Sequence, residues 1–396
     1  MTLFLASVSG LDEAETALAQ GADIIDLKDA SKGALGALPV STVSAVAAAM
    51  AGRRPVSAVT GDLPMEPDII TAAVGAMAAT GVDYVKVGLF PGPRREDCLR
   101  ALVPFAARTR IVGVMFADLD ADQALLPLIA RCRLSGVMLD TAHKGAGGLL
   151  ERLEITALGA FIGACRAHGL LVGLAGSLEV PDIPRLQLLQ PDFLGFRGAL
   201  CIRQQRTASI DPELVRIVRE LIPPDPRSAA HAGVDAATVD FRLLAARGYS
   251  VDPSTDDAAA DRIFVRDFEL PVRIGTYARE RDKPQRVRFN VDVEVTRAPH
   301  EAADMRDVFS YDVVTDGIRM IVAREHIALL EALVERVATL VLAHPRAIRA
   351  RVRAEKLDVG PGGVGVEITR ERPAEVAKVH QLYPGVAADS DRKAAE

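Results

Sequence analysis

The sequence predicts two folded parts: a (β/α)8 barrel over about the first 220 residues, then a smaller α+β domain. Two observations predict the barrel. A unit of short apolar strand, Gly/Asp-rich loop and amphipathic helix recurs along the first ~200 residues, which is the rhythm of a parallel α/β fold. Eight strands can be counted, beginning near Leu3, Ala22, Pro55, Tyr84, Arg110, Gly136, Leu170 and Phe193. The rival is a doubly wound open sheet, but Ser7-Val8-Ser9-Gly10 after the first strand is not its glycine fingerprint. A third observation predicts the second domain. At Pro223-Pro224-Asp225-Pro226 a helix cannot continue, and beyond about residue 261 the order becomes two strands, two helices, two strands.

Taken in order, the strand Ala22 to Ile25 leads into Asp26-Leu27-Lys28-Asp29-Ala30-Ser31-Lys32-Gly33-Ala34-Leu35-Gly36. Side chains alternate along a strand, so Asp26 and Lys28 share a face. A carboxylate and an amine at the end of an apolar strand are costly to bury without a purpose. Only eight of the 47 basic residues are lysines: Lys28, Lys32, Lys86, Lys144, Lys283, Lys356, Lys378 and Lys393. Arginine serves elsewhere, and lysine differs in being able to act as a nucleophile or base near neutral pH. Lys28, Lys86 and Lys144 each fall at or just after a strand end, where barrel chemistry sits. Ser57 to Asp62, Asp118 and Asp140 fall at the same level. After the seventh and eighth strands come Ala175-Gly176-Ser177 and Phe196-Arg197-Gly198-Ala199, whose glycines, hydroxyl and cation suit a phosphate. Helical patterns lie at Asp12–Gln20, Ser41–Ala51, Pro67–Ala79, Asp120–Cys132, Leu149–His168 and Asp211–Leu221.

The domain plan is therefore a barrel over 1–222, a linker over 223–260, a second domain over 261–372 and a polar tail over 373–396. One helical patch, Ala236–Ala246, interrupts the linker. The linker is poor in large apolar residues, so few contacts are expected between the halves. In the second domain Ile263-Phe264-Val265 and Val272 to Tyr277 read as strand segments. Val287, Phe289, Val291 and Val293 then alternate with Arg288, Asn290, Asp292 and Glu294. Helices follow over Tyr311–Arg324 and Ile327–Ala343, then strands over Ile348–Ala354 and Val364–Thr369.

Hydrophobic residues make up 49% of the chain, yet no run approaches the ~20 apolar residues of a membrane helix. Met1-Thr2-Leu3-Phe4-Leu5 lacks the basic start of a secretion signal, and the expected location is the cytoplasm. The four cysteines are widely spaced and form no zinc-type pair; they are expected to be reduced, and no metal is expected. Net charge is −6 with no basic stripe, which argues against nucleic acid as a partner.

The barrel half resembles the (5-formylfuran-3-yl)methyl phosphate synthase family over nearly all of residues 3 to 205. The motifs are Gly21-Ala22-Asp23-Ile24-Ile25-Asp26-Leu27-Lys28, Lys32-Gly33-Ala34-Leu35-Gly36 and Asp83-Tyr84-Val85-Lys86-Val87-Gly88-Leu89. They continue with Asp140-Thr141-Ala142-His143-Lys144, Leu174-Ala175-Gly176-Ser177 and Arg197-Gly198-Ala199. The resemblance implies condensation of two glyceraldehyde 3-phosphate molecules into a furan aldehyde phosphate, with loss of one phosphate and water, for methanofuran-type carriers. It implies Lys28 as the Schiff-base amine and Lys86 as the proton-transfer base. Asp26, Asp140 and Lys144 would assist, and Gly176, Ser177, Arg197 and Gly198 would bind substrate. No cofactor is implied.

The second half resembles dihydroneopterin aldolases and epimerases, of the tunnelling fold, over about Arg262 to Glu371. The signatures are Ile274-Gly275-Thr276-Tyr277-Ala278-Arg279-Glu280, Phe309-Ser310-Tyr311, Ala328-Leu329-Leu330-Glu331, Val352-Arg353-Ala354-Glu355-Lys356 and Gly363-Val364-Gly365-Val366-Glu367. By that resemblance Glu331 pairs with the pterin edge, Tyr311 lines the pocket, and Glu280 and Lys356 serve the acid–base chemistry. The fold commonly forms rings, so a homo-oligomer is expected. Two alternatives stay open: a Schiff-base aldolase barrel for another phosphorylated substrate, and a second domain that serves only in assembly.

Overall fold

The computed structural model describes residues 2–222, 260–276, 280, 283–297, 305, 308–359 and 362–372 of the 396. The expected linker lies outside the described residues except for Ala260, as does the patch Ala236–Ala246, and so does the expected tail over 373–396.

Eight parallel strands close into a barrel: β1 (Leu3–Val8), β2 (Ile24–Leu27), β3 (Val56–Val59), β4 (Tyr84–Gly88), β5 (Arg110–Phe116), β6 (Gly136–Asp140), β7 (Leu171–Leu174) and β8 (Phe193–Phe196). β8 closes on β1 through the register Leu3↔Phe193 to Ala6↔Phe196. The strands are short and apolar because both faces are covered, and every residue of β2, β3, β6 and β8 is buried. The outer layer holds α1 (Leu11–Ala19), α2 (Val40–Met50), α3 (Pro67–Ala78), α4 (Arg95–Ala101) and α5 (Val103–Ala106). It continues with α6 (Leu126–Arg131), α7 (Leu149–Arg152), α8 (Ile155–Ala167), α9 (Asp182–Gln187) and α10 (Pro212–Leu221). Two expected helices differ. The Leu149–His168 pattern breaks at Leu153, which is extended, into α7 and α8. The Asp120–Cys132 pattern begins as a 3-10 turn capped by Asp122, and α6 starts only at Leu126, where Pro127 occupies its first turn.

The second part holds β9 (Ala260–Val272), β10 (Gln285–Thr296), α11 (Tyr311–Arg324), α12 (Leu330–Leu342), β11 (Ala347–Lys356) and β12 (Val364–Glu371). The sheet order is β12-β11-β10-β9, antiparallel throughout. Along β10, Val287, Phe289, Val291, Val293 and Val295 are buried against α11 and α12, while the alternate residues face outward. The segments expected as separate strands near Ile263 and Val272 are joined: β9 is one strand that pairs with β10 along its length.

The two parts touch. Asp316 of α11 meets Arg185 of α9, with Nε to Oδ2 at 2.5 Å, and Met320 of α11 sits over Gly159 of α8 against the barrel's core. The low content of apolar residues in the linker therefore did not forecast the contacts made elsewhere on the surface.

Candidate active site

Neighbouring parallel strands set the register Ser7↔Asp26↔Ser57, so these three side chains enter the barrel at one level. Asp26 is fully buried. Its Oδ2 accepts from Ser7 Oγ at 2.9 Å, and its Oδ1 accepts from Ser57 Oγ and from Lys86 Nζ, both at 2.6 Å. Burial pushes the Asp26 carboxyl up, but the Lys86 and Lys28 ammonium groups and the donated hydrogen bonds outweigh it and hold it below the usual range.

Lys28 follows β2, and its backbone N–H donates to Val8 O at 3.0 Å. Its side chain is buried, and no carboxylate oxygen among the described residues lies within 4 Å of its Nζ. Although Asp26 and Lys28 share a strand face, the ion pair of Asp26 is with Lys86. Residues two apart on a strand stand roughly 6–7 Å apart along it, so the Lys28 amine rises toward the mouth while the carboxylate stays one layer below. Burial pushes the Lys28 amine down to about 8; Asp140 and Asp26 oppose the shift, and Lys86 and Lys144 add to it.

Across the mouth, Asp140 ends β6. Its Oδ1 accepts from Lys144 Nζ at 2.5 Å and from Thr141 N at 2.7 Å. Burial raises the Asp140 carboxyl, yet Lys144 and Lys28 with these hydrogen bonds bring it below its ordinary value. The loop carrying Lys144 is fixed by Asp118, which accepts from Ala142 N at 2.7 Å and His143 N at 2.8 Å. Asp62 fixes the β2 loop in the same manner, accepting from Ala34 N and Leu35 N at 2.9 Å each. Gly33 beside it has φ +98, and a Cβ there would fall 1.9 Å from the Asp62 carboxylate.

Lys28, Asp140 and Lys144 line a cavity of about 260 Å³ at the C-terminal mouth of the barrel, together with Gly176, Ser177, Arg197, Gly198, Gln204 and Arg206. A smaller cavity of about 70 Å³ lies below, bounded by Lys86, Ser57, Tyr84 and Phe193. Among the described residues the mouth thus presents one amine with no carboxylate beside it, between two lysine–carboxylate pairs. Arg197 departs from the expected role. Its Nη1 and Nη2 pair with Glu13 of α1 at 2.6 and 3.3 Å. Nε donates to Arg206 O, Nη1 to Ser7 O and Nη2 to Ala208 O at 2.8, 3.1 and 2.9 Å. Its charge is neutralised and its donors are engaged within the protein, so phosphate contact is not its evident use.

In the second part, Lys356 Nζ meets Glu280 Oε1 at 3.1 Å and donates to Ile274 O at 3.4 Å. Gln285 also donates to Glu280 Oε1, at 3.0 Å. Tyr311 is 61% exposed and Glu331 is also exposed, each at the start of its helix, so the structure pairs Glu280 with Lys356 and leaves the other two facing outward. Tyr277, Ala278 and Arg279 of the signature lie outside the described residues. Sequence reasoning missed Ser7, Glu13 and Arg206. Nothing in the pattern marks them, since each acts through residues far away in the chain.

Among the described residues no helix is long and apolar enough to cross a membrane. None of their His, Cys, Asp and Glu side chains form a group of three placed to hold a metal ion.

The family model described as 4-HFC-P synthase matches residues 4–219, and that described as dihydroneopterin aldolase matches residues 263–369. A Methylorubrum extorquens protein, provisionally ascribed (5-formylfuran-3-yl)methyl phosphate synthase activity, is 42% identical over 226 residues, 57% of this chain and 94% of its own. The (5-formylfuran-3-yl)methyl phosphate synthase of Methanopyrus kandleri is 36% identical over 232 residues, 55% of this chain and 98% of its own. Among solved structures, a dihydroneopterin aldolase of Burkholderia thailendensis bound to guanine is 35% identical, covering 28% of this chain and 91% of its own, with a TM-score of 0.26. With its matched barrel, and with a dihydroneopterin aldolase-like domain after it, the chain belongs to the 4-HFC-P synthase family.

Proposed function

We propose that the barrel condenses two molecules of glyceraldehyde 3-phosphate to (5-formylfuran-3-yl)methyl phosphate through an imine on Lys28, as a step toward methanofuran-type one-carbon carriers. The observation that carries this reading is the buried Lys28 amine, pushed down to about 8 with no carboxylate beside it among the described residues, between the Asp26–Lys86 and Asp140–Lys144 pairs. A neutral amine adds to an aldehyde and expels water. The resulting iminium withdraws electrons, so the neighbouring carbon loses a proton and the enamine attacks a second aldehyde. The balance is two triose phosphates giving one furan aldehyde phosphate, one orthophosphate and two waters, with no net redox change. In this scheme the Lys86–Asp26 and Lys144–Asp140 pairs deliver and accept protons at the departing oxygens and the acidified carbon. Borohydride reduction in the presence of glyceraldehyde 3-phosphate tests this. The expected adduct maps to Lys28 by mass spectrometry; an adduct on another lysine, or none, rejects the assignment.

For the second domain we propose cleavage or epimerisation of 7,8-dihydroneopterin, with Lys356 and Glu280 as the proton-handling pair. Their 3.1 Å contact at the end of β11 supports it. Glu331 and Tyr311 would serve binding once a neighbouring copy covers them. The test is turnover of dihydroneopterin by the full chain and its loss in Lys356→Arg. Absence of turnover in the unsubstituted chain favours an assembly role for this domain.

A further inference from the structure

A cavity that takes a phosphorylated triose needs a cation for the phosphate, and the arginine expected there is already engaged by Glu13 and backbone carbonyls. A second guanidinium faces the same cavity. Arg206 stands on the loop after β8, and its own carbonyl accepts from Arg197 Nε at 2.8 Å, which anchors its backbone. Its Nη2 donates to Gly33 O at 3.1 Å, reaching from the β8 loop to the β2 loop. That is the one hydrogen bond its side chain makes among the described residues, and no carboxylate oxygen there lies within 4 Å of it. It lines the cavity beside Lys28, Gly176, Ser177 and Gly198. Partial burial and the charge of Arg197 both press against its guanidinium; Asp140 and Asp62 oppose them. A guanidinium has five N–H donors, so four remain for a ligand. A partly buried cation with uncommitted donors is stabilised by an anion that fits between them.

We propose that Arg206, rather than Arg197, binds the phosphate group of the substrate, with Arg197 acting as the internal strap that holds the Arg206 loop. This rests on the reading of the barrel as a triose phosphate enzyme. Inorganic phosphate alone is the first probe, titrated calorimetrically into the full-length protein. Arg206→Gln should weaken phosphate binding roughly 10- to 100-fold, the usual range for lost charge-assisted hydrogen bonds, and Arg206→Lys should weaken it less. In turnover, the same variants should raise KM for glyceraldehyde 3-phosphate by a similar factor with little change in kcat. Trapping of unphosphorylated glyceraldehyde on Lys28 should proceed at the unsubstituted rate, which separates a lost phosphate contact from a disturbed fold.

Phosphate affinity unchanged in Arg206→Gln overturns the proposal. So does failure of the unsubstituted protein to bind phosphate at millimolar concentration, or an equal loss of glyceraldehyde trapping in both Arg206 variants. If phosphate binding depends on Arg206 but no furan product forms, the reaction assignment fails and this site stands.

Discussion

Lys28 and Lys86 are both buried lysines of one barrel, yet removing their charges should have opposite effects on stability. Among the described residues no carboxylate lies beside Lys28, and burial pushes its amine down to about 8, against about 10.4 for an unfolded lysine. Its folded-state pKa is depressed, so protonation below about pH 8 opposes folding, and stability rises as pH climbs from there toward the unfolded value. Lys28→Met should then stabilise the protein at pH 7 by about 1–3 kcal/mol in urea unfolding. Lys86→Met instead leaves Asp26 buried without its ammonium partner and should cost about 3–5 kcal/mol. A destabilised Lys28→Met variant would mean that the amine is better partnered than its surroundings indicate. In the proposed imine route the same titration governs chemistry. The reactive form is the neutral amine, about one molecule in ten at pH 7, so imine trapping should rise nearly tenfold per pH unit below about 7, about fivefold between 7 and 8, and then level off. Lys28→Arg should show no trapping at any pH, since a guanidinium keeps its proton. The scarcity of lysine and the strand-end positions made Lys28, Lys86 and Lys144 legible in the sequence. The pairing of Lys86 with Asp26 was not, because it depends on which layers of β2, β3 and β4 face one another, and no single strand carries that register.

At the scale of elements, two aspartates shape the mouth by gripping loops rather than by touching a reactive centre. Asp62 receives two backbone N–H groups from the β2 loop, and Asp118 receives two from the β6 loop. Each holds a loop next to a lysine of the candidate site. Hydrogen bonds to a charged acceptor contribute about 1.5–3 kcal/mol each. Asp62→Ala should therefore speed exchange of the Ala34 and Leu35 amides by about 10- to 100-fold, with the β-strand amides unaffected. Uniform acceleration across the barrel would show that Asp62 supports the whole fold instead. The sequence placed both aspartates at strand ends but could not show that they point sideways into the adjoining loops. The elements themselves were legible where their period was long enough. The alternation of Val287, Phe289, Val291 and Val293 marks β10 directly, and the apolar runs mark the barrel strands. Helices of one or two turns, such as α5 and α9, carry too little periodicity to be seen. The break at Leu153 escaped because an apolar residue there fits a continuing helix as well as a kink.

For the whole molecule, the open question is whether the two halves are merely tethered. Their contact is built from few groups around one buried carboxylate. Asp316 is 1% exposed, and its oxygens receive Arg185 Nε at 2.5 Å and Arg319 Nη1 at 3.0 Å. Arg185 comes from the barrel and Arg319 from the same helix as Asp316, so the carboxylate joins α9 to α11. Met320, one residue beyond Arg319, fills the space that Gly159 leaves on α8. A larger side chain at Gly159 would meet the Met320 methyl, 2.9 Å from the position of an added Cβ. Gly159→Leu should push the parts away from each other without touching either lysine site. Amide exchange in α9 and α11 should then rise together, while Lys28 trapping and the Lys356-dependent reaction keep their rates. Arg185→Ala and Asp316→Ala provide an independent check through a double-mutant cycle in urea unfolding, with an expected coupling of about 0.5–3 kcal/mol. If Gly159→Leu leaves exchange in α11 unchanged and the cycle shows no coupling, the two parts do not dock in solution. If docking is lost and furan synthesis falls with it, the second domain braces α9, which begins five residues after Ser177 on the wall of the barrel's cavity.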